Sequence, residues 1–539
     1  MLMHRAAVLL PGLWAFACVG KSPSGDQLKV EVDTSPPVEE EERTDSDSPL
    51  PDEGDTGRGD WRSLDYDTLR TLYQRSYHPD WSGSILLHLE PGHYVLADDQ
   101  DDSNDSKKRA FHLSAYDRES RVPLLVHLAH DPTPSVHEEE VNLAQVGATL
   151  FELLDLSAPD GVRDPPLPLP ATPVPGTIVL LVYDALPWAM WEDYLGRKPN
   201  HAQLREQSNE FRVTRLGHMS SSTTVSHAVL STGQTPSRTG IPINHTRTAP
   251  GAYDEVFLED RPDRLLVPTV ADLHDVAHGN KPIIASFCSQ SRAAIAMAGH
   301  GLSYEGGDAD IVVWQEGHTG EFTSNADLWR MPAYLESLGP KTFLDQDPPP
   351  TFMGEELTTD KDLFRSPYNV KISAQAVSAM LAQERFGEDE ITDLLFVNIK
   401  VLDNIAHVWG IENPRYVASM DELDAFLGSF KARLDAQLGE DYVLILTSDH
   451  GFGPRMELPR DETDGHRHLL STLRERVGER LGVPGAVQDV QYLNGYLDED
   501  LLTAAGISLR EVCEAFEAEP WVVDCLTRQE VQPPVVSGG

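Results

Sequence analysis

Positive charge is what this 539-residue chain has least of: 43 Lys and Arg stand against 87 Asp and Glu, a formal charge of −44. Nucleic-acid binding needs a basic face to neutralise phosphates, so this balance argues against DNA or RNA as a partner. It disfavours an anionic membrane surface for the same reason. An anionic substrate would have to be held by local positive charge, which bound cations can supply. Cysteine is scarce too. Only Cys18, Cys288, Cys513 and Cys525 occur, with no C-x-x-C or other metal-type spacing. Cys288 lies in a strand-like run and reads as a small buried hydrophobe. Cys513 and Cys525 are close in sequence, and export would permit a disulfide between them. Long hydrophobic runs are missing as well, and none is long enough for a spanning helix.

The start of the chain reads as a leader. Residues 1–18 carry His4 and Arg5, then AAVLLPGLWAF, then Ala17-Cys18. That is a secretory signal in outline. A small residue before Cys resembles a bacterial lipoprotein cleavage site, although Ala15 stands where Leu is usual; an ordinary signal peptide cut nearby is the alternative. Acylated Cys18 would anchor the protein to a membrane of the cell envelope. Residues 19–60 are rich in Ser, Pro, Asp and Glu, with a run from Glu39 to Glu42. Such a segment cannot bury a core and reads as a disordered tether.

Beyond the tether, three short apolar runs organise the chain: TIVLLVY (Thr177 to Tyr183), LLFVNI (Leu394 to Ile399) and YVLILT (Tyr442 to Thr447). Continuous runs of branched residues read as strands buried on both faces of a parallel sheet. Each is followed by potential metal ligands: Asp184 after the first, Asp403 and His407 after the second, Asp449 and His450 after the third. Ligands in open α/β sheets collect beyond the carboxyl ends of the strands. A lone Asp there is often just a helix N-cap. Three strands delivering Asp and His to one edge make a metal centre the sharper expectation. Helical patterns fall between the strands, as in an α/β fold with helices on both faces. Residues 481–539 form a small α/β appendage, with a strand at Val490 to Leu497, a helix at Ser508 to Ala518 and a strand at Trp521 to Leu526. A Pro-rich linker, Pro165 to Pro175, separates residues 61–165 from a core at 166–480. No internal repeat is visible.

The order and content of these motifs carry a resemblance. TVSHAVLSTGQTPSRTGIPIN, LDNIAHVWG and TSDHG, after a strand ending in Asp, resemble the alkaline phosphatase superfamily, and within it the type I phosphodiesterase and nucleotide pyrophosphatase branch. The likeness covers most of residues 176–451. It implies a hydrolase of phosphate esters with two divalent metal ions of the zinc type and a Thr or Ser nucleophile that is transiently phosphorylated. The nucleophile falls on Thr223, four residues before His227, with Thr224 and Ser222 as close rivals. Asp184, Asp449 and His450 would hold the ion that activates Thr223, and Asp403 and His407 would hold the other. Asn244 stands where relatives place an amide donor to a phosphoryl oxygen. Arg292 matches the Arg of a Lys-x-Arg stretch, whereas Gln290 stands in place of its Lys. Losing that charge puts a strict monoester preference in doubt.

The resemblance also implies one more His on the second ion, in a motif near the family's C-terminus. Here only His466 and His468 follow His450. FHLSAYDRESRVPLL (Phe111 to Leu125) resembles that terminal motif instead, with His112 in the ligand place and Leu113 replacing the usual Gly. Arg75 to Val95 and Ala144 to Leu156 also resemble the family's last third. The expectation is therefore a circular permutant, in which residues 61–165 equal the family's C-terminal portion; an unrelated N-terminal segment, with His466 or His468 as ligand, is the rival. A catalytically inactive metal-binding envelope protein and a sulfate or phosphonate ester hydrolase of the same superfamily are the other functional readings. A phosphomutase fits poorly with export. The expected substrate is a small phosphate ester, and the expected location is the bacterial envelope or periplasm.

Overall fold

A computed structural model describes residues 65–96, 110–131, 133–249, 252–316, 320–455, 467–491 and 493–532. The signal and tether, Cys18 and His466 lie outside the described residues.

The strands that matter are β1 (Ile85–Leu89), β2 (Arg121–Val122), β3 (Leu124–Leu128), β4 (Val136–Asn142), β5 (Thr177–Tyr183), β6 (Asn209–Arg215), β7 (Ile284–Cys288), β8 (Ile311–Gln315), β9 (Phe322–Thr323), β10 (Asp393–Ile399), β11 (Tyr442–Thr447), β12 (Val487–Gln491), β13 (Asn494–Leu497) and β14 (Val522–Thr527). A ten-stranded sheet runs β9-β8-β7-β10-β5-β11-β3-β6-β2, with β4 beside β6. Its centre, from β8 to β11, is parallel. The fold is thus α/β with a large, mostly parallel sheet.

The helices used below are α1 (Tyr66–Ser76), α2 (Leu143–Leu153), α3 (Thr223–Thr232), α4 (Val270–Ala277), α5 (Ser291–Ala298), α6 (Tyr368–Gln383), α7 (Val401–Trp409), α8 (Pro414–Leu438), α9 (Leu470–Leu481) and α10 (Leu509–Glu517). They cover both faces of the sheet. Side chains alternate along a strand, and the alternation in β5 sorts cleanly. Val179, Leu181 and Tyr183 pack with α6, α7 and α8, while Ile178, Leu180 and Val182 pack with α2, α3 and α4. A strand between two helical layers has no polar face to show, which is why these runs read as unbroken apolar sequence. Full burial of each Leu or Ile stabilises the fold by roughly 1.5–3 kcal/mol before entropy is counted.

Register decides where the site forms. Asp393 to Ile399 pair with Thr177 to Tyr183, and Tyr442 to Thr447 pair with Thr177 to Val182. The three strands therefore end level, and the residues after them share one edge. On the other side of β11, β3 runs antiparallel, with Leu124 opposite Thr447. The chain just before β3, which carries His112, consequently arrives at that same edge. Helix α2 binds the N-terminal segment to the core more tightly still: a Cβ on Gly147 would lie 2.3 Å from Gly233 N. Gly233 ends α3 with φ +64°, a left-handed cap that favours glycine.

Two expectations about the small unit need correction. The stretch read as one strand, Val490 to Leu497, is a hairpin of β12 and β13 that breaks around Leu493, whose φ is +68°. The unit is not built from the tail alone either, because its four-stranded sheet runs β12-β13-β1-β14 and takes β1 from the N-terminal segment. Leu470, Leu473 and Val477 of α9 and Val512 and Phe516 of α10 close its core. Cys513 and Cys525 form a disulfide across it, with Cα atoms 5.2 Å apart. Cys288 is buried on β7.

Candidate metal centre

Two ligand groups meet at the carboxyl edge. Asp184, Asp449 and His450 form one, and His112, Asp403 and His407 form the other; within each, one ligand atom per residue lies within 4.8 Å of the rest. In the first group His450 Nε2 lies 3.4 Å from Asp449 Oδ2 and 3.7 Å from Asp184 Oδ1. In the second, Asp403 Oδ1 lies 3.4 Å from His112 Nε2 and 3.3 Å from His407 Nε2. Donors held at 2.0–2.1 Å around one tetrahedral zinc sit about 3.3 Å apart, so the spacings suit an ion.

The donor chemistry fits as well. Asp403 Oδ1 and Asp449 Oδ2 are buried without a hydrogen-bond partner, an expensive state that a cation would relieve. All three histidines turn Nδ1 to a backbone carbonyl. His407 Nδ1 donates to Ala110 O at 3.0 Å, His450 Nδ1 to Gly451 O at 2.9 Å, and His112 Nδ1 to Ser221 O. A carbonyl only accepts, so Nδ1 carries the proton and Nε2 keeps its lone pair for a metal. Burial also lowers the pKa of His112 and His450, with their mutual proximity adding for His112. The His112 ring stacks on that of His450, centroids 3.7 Å apart. His468 sits elsewhere: it lies in a strand beside Tyr94–Leu96, its ring stacked on Trp521.

Beside the first group stands Thr223, the first residue of α3. Its Oγ1 is 3.4 Å from His450 Nε2 and 3.3 Å from Lys400 Nζ. Neither rival hydroxyl hydrogen-bonds to His450 or Lys400. Ser222 Oγ bonds Ser220 Oγ at 2.7 Å, and Thr224 Oγ1 has no hydrogen-bond partner. Asn244 Oδ1 accepts from the Thr224 backbone N–H at 3.1 Å, tying Asn244 to the helix start. His227 holds the same turn through Nδ1 to Thr223 O, 2.7 Å. Arg292 opens α5, half-buried, with no carboxylate within 4.0 Å among the described residues. It is near enough that its charge acts on Lys400. Gln290 stands at the N-cap position of the same helix without a side-chain cap bond, its Oε1 buried and unpartnered.

Lys400 is the functional residue that sequence reasoning missed. Its ammonium lies 2.9 Å from both oxygens of Asp184 and 2.9 Å from Asp403 Oδ2. Burial works against the ammonium, but Asp184, Asp403 and Asp449 outweigh it and hold it protonated. The effect on the carboxylates is uneven. Burial alone would raise Asp403, yet Lys400 and the neighbouring histidines hold it well below the usual carboxylate range. Asp449 makes no ion pair with Lys400, and burial together with the charge of Asp184 raises it above the usual carboxylate range. A lysine directly after a buried, mostly apolar strand and three residues before Asp403 was the available signal.

Glu119 was missed too. It is wholly buried, and its Oε2 accepts from the N–H groups of Leu113 and Ser114 at 2.6 and 2.7 Å and from Ser221 Oγ at 3.1 Å. One carboxylate thus fixes both the loop carrying His112 and the loop leading into Thr223. Close packing completes the joint: a Cβ on Gly451 would meet Arg118 O at 2.1 Å, and Gly451 N donates to Glu119 O at 2.7 Å.

Comparison with known proteins adds a family to this geometry. The family model described as type I phosphodiesterase / nucleotide pyrophosphatase matches residues 178–474. Alkaline phosphatase PhoK of Sphingomonas sp is 25% identical over 417 residues, covering 67% of this chain and 72% of that protein. Alkaline phosphatase PafA of Elizabethkingia meningoseptica is 22% identical over 429 residues, covering 67% and 77%. The crystal structure of PafA is 18% identical with a TM-score of 0.48, covering 65% of this chain and 77% of that one.

Proposed function

The chain belongs to the type I phosphodiesterase / nucleotide pyrophosphatase family of the alkaline phosphatase superfamily, and from that premise we propose that it is an exported two-metal hydrolase working through a phospho-threonine on Thr223. That it hydrolyses phosphoric esters follows from the family. The ions, the intermediate, the residue roles and the export are the proposal.

One observation carries it: Thr223 Oγ1 lies beside His450 Nε2 and beside Lys400 Nζ, whose ammonium touches a carboxylate of each ligand group. A threonine hydroxyl is a weak nucleophile at its free pKa. Divalent ions, when bound, would lower that pKa and neutralise charge on the phosphoryl oxygens. The chain's own residues do the rest. Asp184, Asp449 and His450 form the ligand set beside Thr223, and Asp403, His407 and His112 the other. Asn244 spends Oδ1 on Thr224 N, which leaves its Nδ2 hydrogens to donate to a phosphoryl oxygen. Arg292 and Lys400 are the cations that meet the anionic group, with Lys400 making good from another element the charge absent at Gln290. Glu119 and His227 orient, and touch no substrate.

The role of His112 bears on chain order. It lies outside the range matched by the family model, which starts at residue 178. Its position beside Asp403 and His407, with β3 antiparallel beside β11, supports reading residues 61–165 as the family's C-terminal portion carried at the front. Chain termini lie at surfaces and often near one another, so such permutation is tolerated.

A panel of aryl phosphate monoesters and diesters, assayed with and without added zinc, tests the proposal. Zinc-dependent turnover that Thr223→Ala removes supports it. Zinc binding without turnover of any ester favours the inactive envelope protein, and turnover of sulfate or phosphonate esters alone favours the alternative hydrolase.

A further inference from the structure

Three carboxylates lie far from this chemistry. Asp275 lies in the last turn of α4, and Asp308 and Asp310 sit in the loop that enters β8. One oxygen from each lies within 4.8 Å of the others. The metal centre stands beyond the carboxyl ends of the parallel strands, whereas Asp310 immediately precedes the first residue of β8. The cluster is therefore at the opposite edge of the sheet.

Acidic residues gather on many protein surfaces without a ligand, but two of these three are buried and Asp308 is half-buried. Asp275 is 2% exposed and Asp310 8%. Asp275 Oδ1 is buried with no hydrogen-bond partner. Of the neighbouring charges, only Arg330 offsets the cluster, from a distance and in part. Asp272, one turn earlier on α4, is fully engaged by His300 and Thr269. Arg330 gives its backbone N–H to Asp310 O, but its guanidinium turns to Glu384, 3.5 Å away. No Lys, Arg or His side chain among the described residues forms an ion pair with any of the three. Burial and mutual repulsion accordingly push Asp310 up to about 9 and Asp275 up to about 6. Asp275 also sits at a helix C-terminus, where a negative charge is disfavoured.

We infer that Asp275, Asp308 and Asp310 form a second cation site, built for a hard divalent ion and best suited to calcium. The donors are all carboxylate oxygens, without the imidazole or thiolate that zinc prefers. Calcium accepts irregular sets of carboxylates, mono- or bidentate, completed by carbonyls and water. One such ion would satisfy the unpartnered Asp275 oxygen and offset the charge of the cluster. It would tie α4 to the loop before β8, which stabilises the sheet edge without entering catalysis. The inference stands whether or not the hydrolase proposal holds.

The test uses the full chain, stripped with chelator, reloaded with zinc, and titrated with calcium by calorimetry and thermal melting. Wild type is expected to bind one further calcium per chain and to melt at higher temperature with it. Asp310→Asn and, separately, the less buried Asp308→Asn should weaken that binding at least roughly tenfold, since affinity follows ligand charge. Zinc content and ester turnover should be unchanged. Magnesium binding lost in the same variants would equally support a hard-cation site. No calcium or magnesium bound by wild type, or the same binding in both variants, would overturn the inference. So would a melting temperature that rises in Asp310→Asn while wild type binds neither ion, since the cluster would then be only a set of carboxyls sharing protons.

Discussion

Replacing Lys400 with Met should make the metal-free protein less stable and its metal binding tighter. The lysine is 3% exposed, and its ammonium meets Asp184 and Asp403, which are 0% and 3% exposed. Removing one partner of a buried ion pair leaves charge uncompensated and typically costs about 3–5 kcal/mol. The cost cannot run far beyond that, because a stranded carboxylate takes up a proton instead: moving its pKa from ~4 to ~7 costs about 4 kcal/mol. Met approximates the volume of the lysine stem, so packing is preserved and the loss is electrostatic. With two divalent ions bound, four positive charges face the carboxylates of Asp184, Asp403 and Asp449, and one missing ammonium matters far less.

Linkage turns this difference into an affinity. An ion that stabilises the variant by ~3 kcal/mol more than wild type must bind it about 100-fold more tightly. Turnover should move the other way, falling by on the order of 10²–10³ if the ammonium meets the reacting phosphoryl group. Urea unfolding of chelator-treated and zinc-loaded protein, wild type and variant, supplies all four stabilities, and a competition titration supplies the affinities. Equal metal-free stabilities, or weaker zinc binding in the variant, would refute the reasoning, because the lysine would then not be holding the empty carboxylates together.

Thr223→Ala should abolish turnover yet fold normally, and a phosphoryl group trapped on Thr224 or Ser222 instead would move the nucleophile; mass spectrometry of quenched protein decides. Chelation should remove activity and zinc should restore it, and undiminished turnover in metal-free protein would exclude the two-metal reading. His112→Ala should lower bound zinc by one ion per chain, whereas His468→Ala should leave zinc content unchanged; the reverse pattern would sink the permutation. Asp310 holds its proton to about pH 9 in the native state and to ~4 when unfolded, so stability falls as pH rises between those values. For metal-free protein that slope amounts to at most ~4 kcal/mol from pH 5 to 8. Asp310→Asn should flatten it in urea titrations.

Legibility followed burial. β5, β10 and β11 were readable to within a residue because both faces are covered, and the chain can only be apolar there. The ligand residues after them were readable because Asp-His and Asp-x-x-x-His are unusual sequels to such runs. The hairpin of β12 and β13 was not, since its turn at Leu493 uses a residue that carries no turn signal. Nor was the pairing of β1 with β14, which depends on residues more than four hundred positions apart. Lys400, Glu119 and Asp310 share one reason for escaping notice. Charged residues are read as solvent-facing by default, and Lys400 and Glu119 are buried against partners from a distant part of the chain, while Asp310 is buried without an ion-pair partner among the described residues.

That default also locates where chemistry was hidden. A buried charge is expensive, so it persists only where other groups repay it or where a ligand is meant to. Lys400 and Asp403 are repaid by each other, and Glu119 at Oε2 by two backbone donors and a serine, its Oε1 staying unpartnered. Asp403 Oδ1, Asp449 Oδ2 and Asp275 Oδ1 are not repaid by any described group. The first two belong to ligand groups assembled from three level strand ends and the antiparallel loop before β3. The third belongs to a group at the far edge, with no histidine in it. The same physical deficit thus marks both places, and the donors around each separate them: imidazole and carboxylate beside Thr223 for a borderline ion and phosphoryl transfer, carboxylate alone at the other edge for a hard ion that only binds.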